Sequence, residues 1–390
     1  MVVLLLTREG RHEVEPAPVE VPRASPAEAT EALAAFVTGV EARDAASLSA
    51  LAPADVAGAE QVLAGVAGNA DALDLRGVTA RYVDQAGTVA ADGSWAGVVE
   101  LSWQLAGLDP APSRADVVVT FAPDGDRLGI AGFGGTASSG RVPLWLQGAL
   151  SVVRARGVLV ALDGERPEAR AVARRVARGR DVVRRVLPGW SAPVVVEVPA
   201  SAADLDEALG AEPGTYAGIA AVTATAGSTS GAEAPVHVFV NPDVTDGLRR
   251  AGAQVVMSHE LVHVATDAVR SPMEPWLLEG FADYVALRDT RLPDRTTLGR
   301  AIASARRDGV PDALPTADDF DTRAQDLQAS YEEAWLACRV IAERLGERGL
   351  LDAYRAASRG VALDRALDQA GLPIDVLTRA WRTQLAARAA

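Results

Sequence analysis

The pentapeptide His259-Glu260-Leu261-Val262-His263 constrains this chain more than any other feature of it. Residues four apart on an α-helix stand one turn above each other on the same face, so this spacing lets both imidazoles reach one metal ion. Glu260 projects beside them, where its carboxylate can polarise a water on that metal. The flanks predict a buried helix: Val255, Val256, Leu261, Val262 and Val264 are apolar, and neither Pro nor Gly interrupts 253–269. The chain has four histidines, and two of them fall at this spacing around a Glu. The plain alternative is a helix with two satisfied surface histidines.

A second stretch, Trp276-Leu-Leu-Glu279-Gly-Phe-Ala-Asp283-Tyr-Val-Ala-Leu287, weighs against that alternative. Trp276, Leu277, Phe281, Tyr284, Val285 and Leu287 supply the apolar positions of another helix. Glu279 is the candidate third ligand. Asp283, one turn further on, can accept the outer N–H of a ligating histidine and so fix its tautomer. A solvated acidic stripe is the bland reading of these two residues, and the apolar remainder of the helix argues against it.

Together the two stretches resemble the gluzincin metallopeptidases, specifically the peptidase MA-like domains, over roughly 150–390. That resemblance implies a zinc ion held by His259, His263 and Glu279, with Glu260 as general base and a peptide or protein as substrate. It also implies an oxyanion-stabilising Tyr or His from the helical C-terminal half. Tyr331 and Tyr284 are the two candidates, with Tyr331 preferred because Tyr284 adjoins Asp283 on the ligand helix. In zincins a sheet edge just ahead of the metal helix pairs with extended substrate; Val236–Val240 is the strand expected there. His237 on that strand could face the cleft, although an ordinary strand histidine is the better reading.

At 390 residues the chain is long enough for one or two domains with sizeable cores. Its 49% hydrophobic and 23% charged residues describe a folded globular protein, and a net charge of −14 argues against nucleic-acid binding. All the basic residues are Arg, a compositional bias that points to no function. The single Cys338 has no disulfide partner and falls on a predicted apolar helix face, as a small buried hydrophobe.

The expected class is α+β in three segments. Residues 1–24 read as a linker with an anchor remnant: five apolar residues precede a Pro-rich run, like the outer end of a membrane helix. The expectation drawn from this is an extracytoplasmic, membrane-anchored product; a frayed terminus is the alternative. Residues 25–140 read as an accessory domain, helices first and then strands at Leu73–Val83, Gly97–Leu105, Ala115–Phe121 and Leu128–Phe133. In element order it is similar to nuclear-transport-factor-two-like domains, curved antiparallel sheets on helices, a fold that implies no activity. Gly129–Gly135 lacks the Lys-Ser/Thr and the βαβ setting of a phosphate loop and reads as a strand end with a linker.

Residues 141–390 read as the zincin-like domain: a small sheet, the metal helix and a helical C-terminal half. Its first strand is expected at Val158–Leu162, followed by a helix over 167–187, a strand at Pro193–Val198, a helix at Ala202–Leu209 and a polar loop over 223–232. The helix over 167–187 carries seven arginines between Arg170 and Arg185. They form a solvated face or, alternatively, a face for anionic lipid. Residues 291–329 read as loop-rich with one helix near 297–307, and a long helix from Ser330 closes at Gly346. The competing functional reading is a zinc-binding but non-hydrolytic surface protein whose accessory domain carries the function.

Overall fold

Ser25 caps the first helix by accepting from the Glu28 amide, and Pro26 takes its first turn, where a missing N–H costs nothing. The computed structural model describes residues 23–135 and 140–390; the anchor remnant and most of the linker expected over 1–24 lie outside them. Helices α1 (Pro26–Ala42), α2 (Ala45–Ser49) and α3 (Ala59–Ala72) precede strands β1 (Leu75–Ala86), β2 (Trp95–Leu105), β3 (Ser113–Asp124) and β4 (Arg127–Phe133). The strands pair in chain order as an antiparallel sheet. Burial alternates along the whole of β2, so Trp95, Val99, Leu101, Trp103 and Leu105 face Leu33, Phe36, Leu63 and Val66 of the helices.

The second sheet begins earlier than the sequence suggests, with β5 (Ser151–Ala155) forming a hairpin with β6 (Val158–Leu162). Then come α4 (Arg166–Arg184), β7 (Val194–Val198), α5 (Ala202–Leu209), β8 (Ala221–Thr225) and β9 (Val236–Val240). The order across this mixed sheet is β5-β6-β7-β9-β8, with β6, β7 and β9 parallel and the two outer strands antiparallel to their neighbours. Two expectations are corrected here. Part of the expected polar loop, 223–225, is strand, and β8 rather than β9 forms the sheet edge, since β9 is covered on both sides. The β-branched run Val222-Thr223 with Thr225 favours the extended backbone despite its polarity.

The inner strand β6 is buried on both faces, which is why it reads as a continuous apolar run. Val158, Val160 and Leu162 pack on the helical side, while Leu159 and Ala161 join the core of the N-terminal layer. Val142, Leu144, Trp145 and Leu146, expected to open the second unit, also pack into that N-terminal core. Buried Asn69 of α3 pins this crossing, donating to the Trp145 and Gly148 carbonyls and accepting from the Leu150 amide. The molecule is thus three-layered: N-terminal α+β unit, mixed sheet, helices.

The helical half comprises α6 (Pro242–Thr245), α7 (Arg250–Thr266), α8 (Pro275–Ala286), α9 (Asp294–Thr297), α10 (Gly299–Asp308), α11 (Leu327–Ser358), α12 (Leu363–Gln369) and α13 (Ile374–Ala389). α11 is broken at Gly346, whose φ of 76° no other residue adopts cheaply. No described helix is long and apolar enough to cross a membrane. Of the seven arginines between Arg170 and Arg185, on α4 and its C-cap, four are tied to the protein's own groups. Arg178 donates to Gln254, Arg180 to the Arg156 and Gly157 carbonyls, Arg184 to the Trp190 carbonyl, and Arg185 pairs with Asp289.

Candidate metal centre

α7 carries the pentapeptide, and its apolar face fixes where the histidines point. Met257, Leu261 and Val262 sit in the core between the sheet and α8. Gly179 of α4 lets the helices close up: a Cβ there would stand 2.7 Å from Leu261 Cδ1. The helix stops immediately after the pattern because Asp267 adopts φ 53°, and its N–H returns to the His263 and Val264 carbonyls.

α8 crosses α11 at Gly280. A Cβ there would lie inside van der Waals distance of the Ala334 carbonyl and 2.9 Å from Cys338 Sγ. Glycine at 280 and a small, fully buried residue at 338 therefore set how closely these helices approach. That approach brings Glu279 and Asp283 of α8, and Tyr331 of α11, onto the face of α7 that bears the histidines. Cys338 is the buried hydrophobe expected, its thiol pushed well above its usual range by burial.

The three candidate ligands converge. His259 Nε2 lies 3.0 Å from His263 Nε2 and 3.0 Å from Glu279 Oε2, and His263 Nε2 lies 3.3 Å from the same oxygen. Among the described residues they form the one group of three or more side chains able to share a metal ion. Ligands about 2.0–2.1 Å from a tetrahedral zinc stand about 3.3 Å apart, so the triangle has the size of such a site. Two imidazole nitrogens and one carboxylate oxygen are also the donor set that zinc favours in open sites. On its other side His259 donates from Nδ1 to Asp283 at 2.8 Å, which makes Nε2 the nitrogen directed at the triangle and the one a metal would take. His263 Nδ1 is buried without a partner among the described residues.

The electrostatics follow from this crowding. Burial alone would push the Glu279 carboxyl up, yet His263 and His259 hold it well below the usual carboxylate range. Burial likewise opposes charge on His259, but Asp283 and Glu279 outweigh it and raise the imidazole well above its ordinary value. In the absence of a metal the site therefore favours a cation between its carboxylates, the charge a metal ion would supply.

Glu260 is 5% exposed. Its Oε2 accepts from Thr223 Oγ1 of β8 at 2.7 Å, and its other carboxylate oxygen has no partner among the described residues. A cavity of about 180 Å³ opens in front of these groups, walled by Val222, Thr223, Leu278, Phe320, Leu327 and Tyr331. The Tyr331 ring centroid lies 6.1 Å from that of His259 and 5.4 Å from that of Phe320. Burial, with Glu279 and Glu260 nearby, pushes the Tyr331 hydroxyl far up, so it remains a proton donor at any ordinary pH. Tyr284 lines a different depression with Glu347, to which its hydroxyl donates at 3.4 Å. Of the two tyrosines, only Tyr331 borders the cavity.

His237 faces away from the metal triangle, into the N-terminal layer. Fully buried, it bridges Glu197 at 2.6 Å through Nδ1 and Asp109 at 3.0 Å through Nε2. Thr223 and Phe320 are among the cavity residues that the sequence does not mark as part of the site. The β-branched run around Thr223 was the available signal for the first, and nothing local marks the second. No protein-family model matches this sequence, and no curated protein matches it significantly.

Proposed function

We propose that the protein is a zinc-dependent hydrolase of peptide bonds with a gluzincin-type site. The single observation that carries this reading is the convergence of His259 Nε2, His263 Nε2 and Glu279 Oε2, at zinc-ligand separations, beside a buried carboxylate that ligates nothing. Three protein ligands leave a position open, the arrangement of catalytic rather than structural zinc sites. A zinc ion held there supplies Lewis acidity, making water acidic near neutral pH and polarising a carbonyl.

The chain's own residues supply the rest. Glu260 takes the proton of the attacking water on its free carboxylate oxygen and passes it to the leaving amine. Tyr331 is kept protonated and borders the same cavity, so its hydroxyl can donate to the oxyanion that develops on the scissile carbonyl. Asp283 holds His259 in the tautomer that ligates. β8, as the edge of the sheet and a wall of the cavity, offers backbone groups to an extended peptide.

The test is cleavage of a mixed peptide library by the zinc-loaded protein and its Glu260→Gln variant. Chelator-sensitive cleavage, restored by zinc and abolished in the variant with zinc still bound, supports the reading. Full activity in Glu260→Gln overturns the mechanism. No cleavage by zinc-loaded wild type favours the non-hydrolytic zinc-binding alternative.

A further inference from the structure

Resting on that hydrolase reading, we propose that Thr223 is a positioning residue for Glu260, holding the carboxylate in its working orientation from the edge of the sheet. Thr223 Oγ1 lies 2.7 Å from Glu260 Oε2 and 3.2 Å from the Glu260 carbonyl oxygen. Among the described residues the hydroxyl is the one group that donates to this carboxylate. A buried ionised carboxylate without a donor is costly, and a Glu side chain free to rotate loses its aim at the reacting water. One hydroxyl proton on Oε2 answers both needs and leaves Oε1 to carry the proton from water to the leaving amine. The water oxygen then bonds to the carbonyl carbon as its C–N bond breaks, with no other reactant consumed.

The position of that hydroxyl is itself secured from the N-terminal layer. Thr223 pairs with Val238 across the antiparallel ladder. Two residues on, the Thr225 carbonyl accepts from Arg141 Nη2 at 2.8 Å, and Arg141 donates also to the Ala208 and Gly227 carbonyls. The Ser228 amide donates to the Arg114 carbonyl of β3 at 2.6 Å. Gly227 has no room for a Cβ, which would stand 2.8 Å from the Arg114 nitrogen. β8 is thus fastened at its end to the N-terminal layer, and Thr223 is the side chain through which the strand touches the base. The rival role is purely structural: a hydroxyl tying β8 to α7 through the Glu260 carbonyl alone.

Thr223→Val keeps the shape and the strand preference and removes the donor; Thr223→Ser restores the donor. Thermal unfolding of the metal-free protein gives the first readout. Thr223→Val is expected to lower Tm with Glu260 present and to have little effect in the Glu260→Ala background. Equal losses in both backgrounds would assign the hydroxyl to the backbone and overturn the proposal. In the zinc-loaded protein, Thr223→Val should lower kcat about tenfold, the scale of one charge-assisted hydrogen bond, with KM and zinc content unchanged. Thr223→Ser should recover most of it. An unchanged kcat in Thr223→Val, or no recovery in Thr223→Ser, would overturn the positioning role. If zinc-loaded wild type cleaves nothing, the hydrolase reading falls, while the unfolding comparison still decides whether the hydroxyl holds the carboxylate.

Discussion

Asp283 accepts from His259 Nδ1 at 2.8 Å while His259 Nε2 faces Glu279 at 3.0 Å, so one imidazole is gripped by two carboxylates from a single turn of α8. The outer carboxylate orients the ring and raises its basicity toward a metal. Asp283→Ala is therefore expected to weaken zinc binding by about 10–100-fold without abolishing it, and Asp283→Asn by less. Competition titration against a chromogenic chelator checks this.

Tyr331 and Tyr284 separate by surroundings. Tyr331→Phe is expected to lower kcat by about 100-fold or more, as loss of an oxyanion donor does, with zinc retained. Tyr284→Phe, whose hydroxyl meets Glu347 outside the cavity, should leave kcat unchanged. Steady-state kinetics of the two variants on one peptide decides between them.

Gly280→Ala tests the packing that assembles the site. The added methyl meets the Ala334 carbonyl and Cys338 Sγ, and neither a backbone carbonyl nor a buried thiol can step aside cheaply. A loss of about 1–3 kcal/mol in unfolding free energy is expected, together with weaker zinc binding, because Glu279 and Asp283 ride on the same helix. Urea unfolding followed by circular dichroism measures the first.

His237 joins the two layers as a charge. Burial disfavours its protonation, but Asp109 and Glu197 overcome that and raise it to about 9. A pKa raised on folding stabilises fully below the unfolded value of about 6.5, and the gain fades as pH climbs to the folded value. A rise from 6.5 to about 9 amounts to about 3 kcal/mol, at about 1.4 kcal/mol for each pH unit. Glu332 and Glu333, each held up to about 7 by burial, cost stability as pH rises from about 4.5 to 7, mostly below the His237 window. Stability should accordingly fall between pH 7 and 9 in the wild type and much less in His237→Gln, which denaturant unfolding across that range measures.

What the sequence made legible was local. The two ligand helices could be read because all their chemistry lies within turns of one another: His259 and His263 four apart, Glu279 and Asp283 likewise. The α+β character and the four strands of the first sheet followed from alternation, and α11's break followed from Gly346. α3 is hard to read from sequence because Gly65 and Gly68 dilute its helical pattern, although Leu63, Val66 and Ala70 face the core. Long-range pairings stayed hidden. Glu197 and Asp109 lie 40 and 128 residues from His237, and Thr223 lies 37 from Glu260. β8 is only five residues long and runs into a polar loop, so nothing but its pairing with β9 identifies it as the edge.

The most direct test is the metal content of the purified protein beside Glu279→Ala, by elemental analysis after mild dialysis. About one zinc per wild-type chain is expected, lost or greatly reduced in the variant. A wild-type protein that takes up no zinc even when it is supplied would contradict the metal centre. His259 and His263 would then be helix residues paired with Glu279 and Asp283 for packing alone.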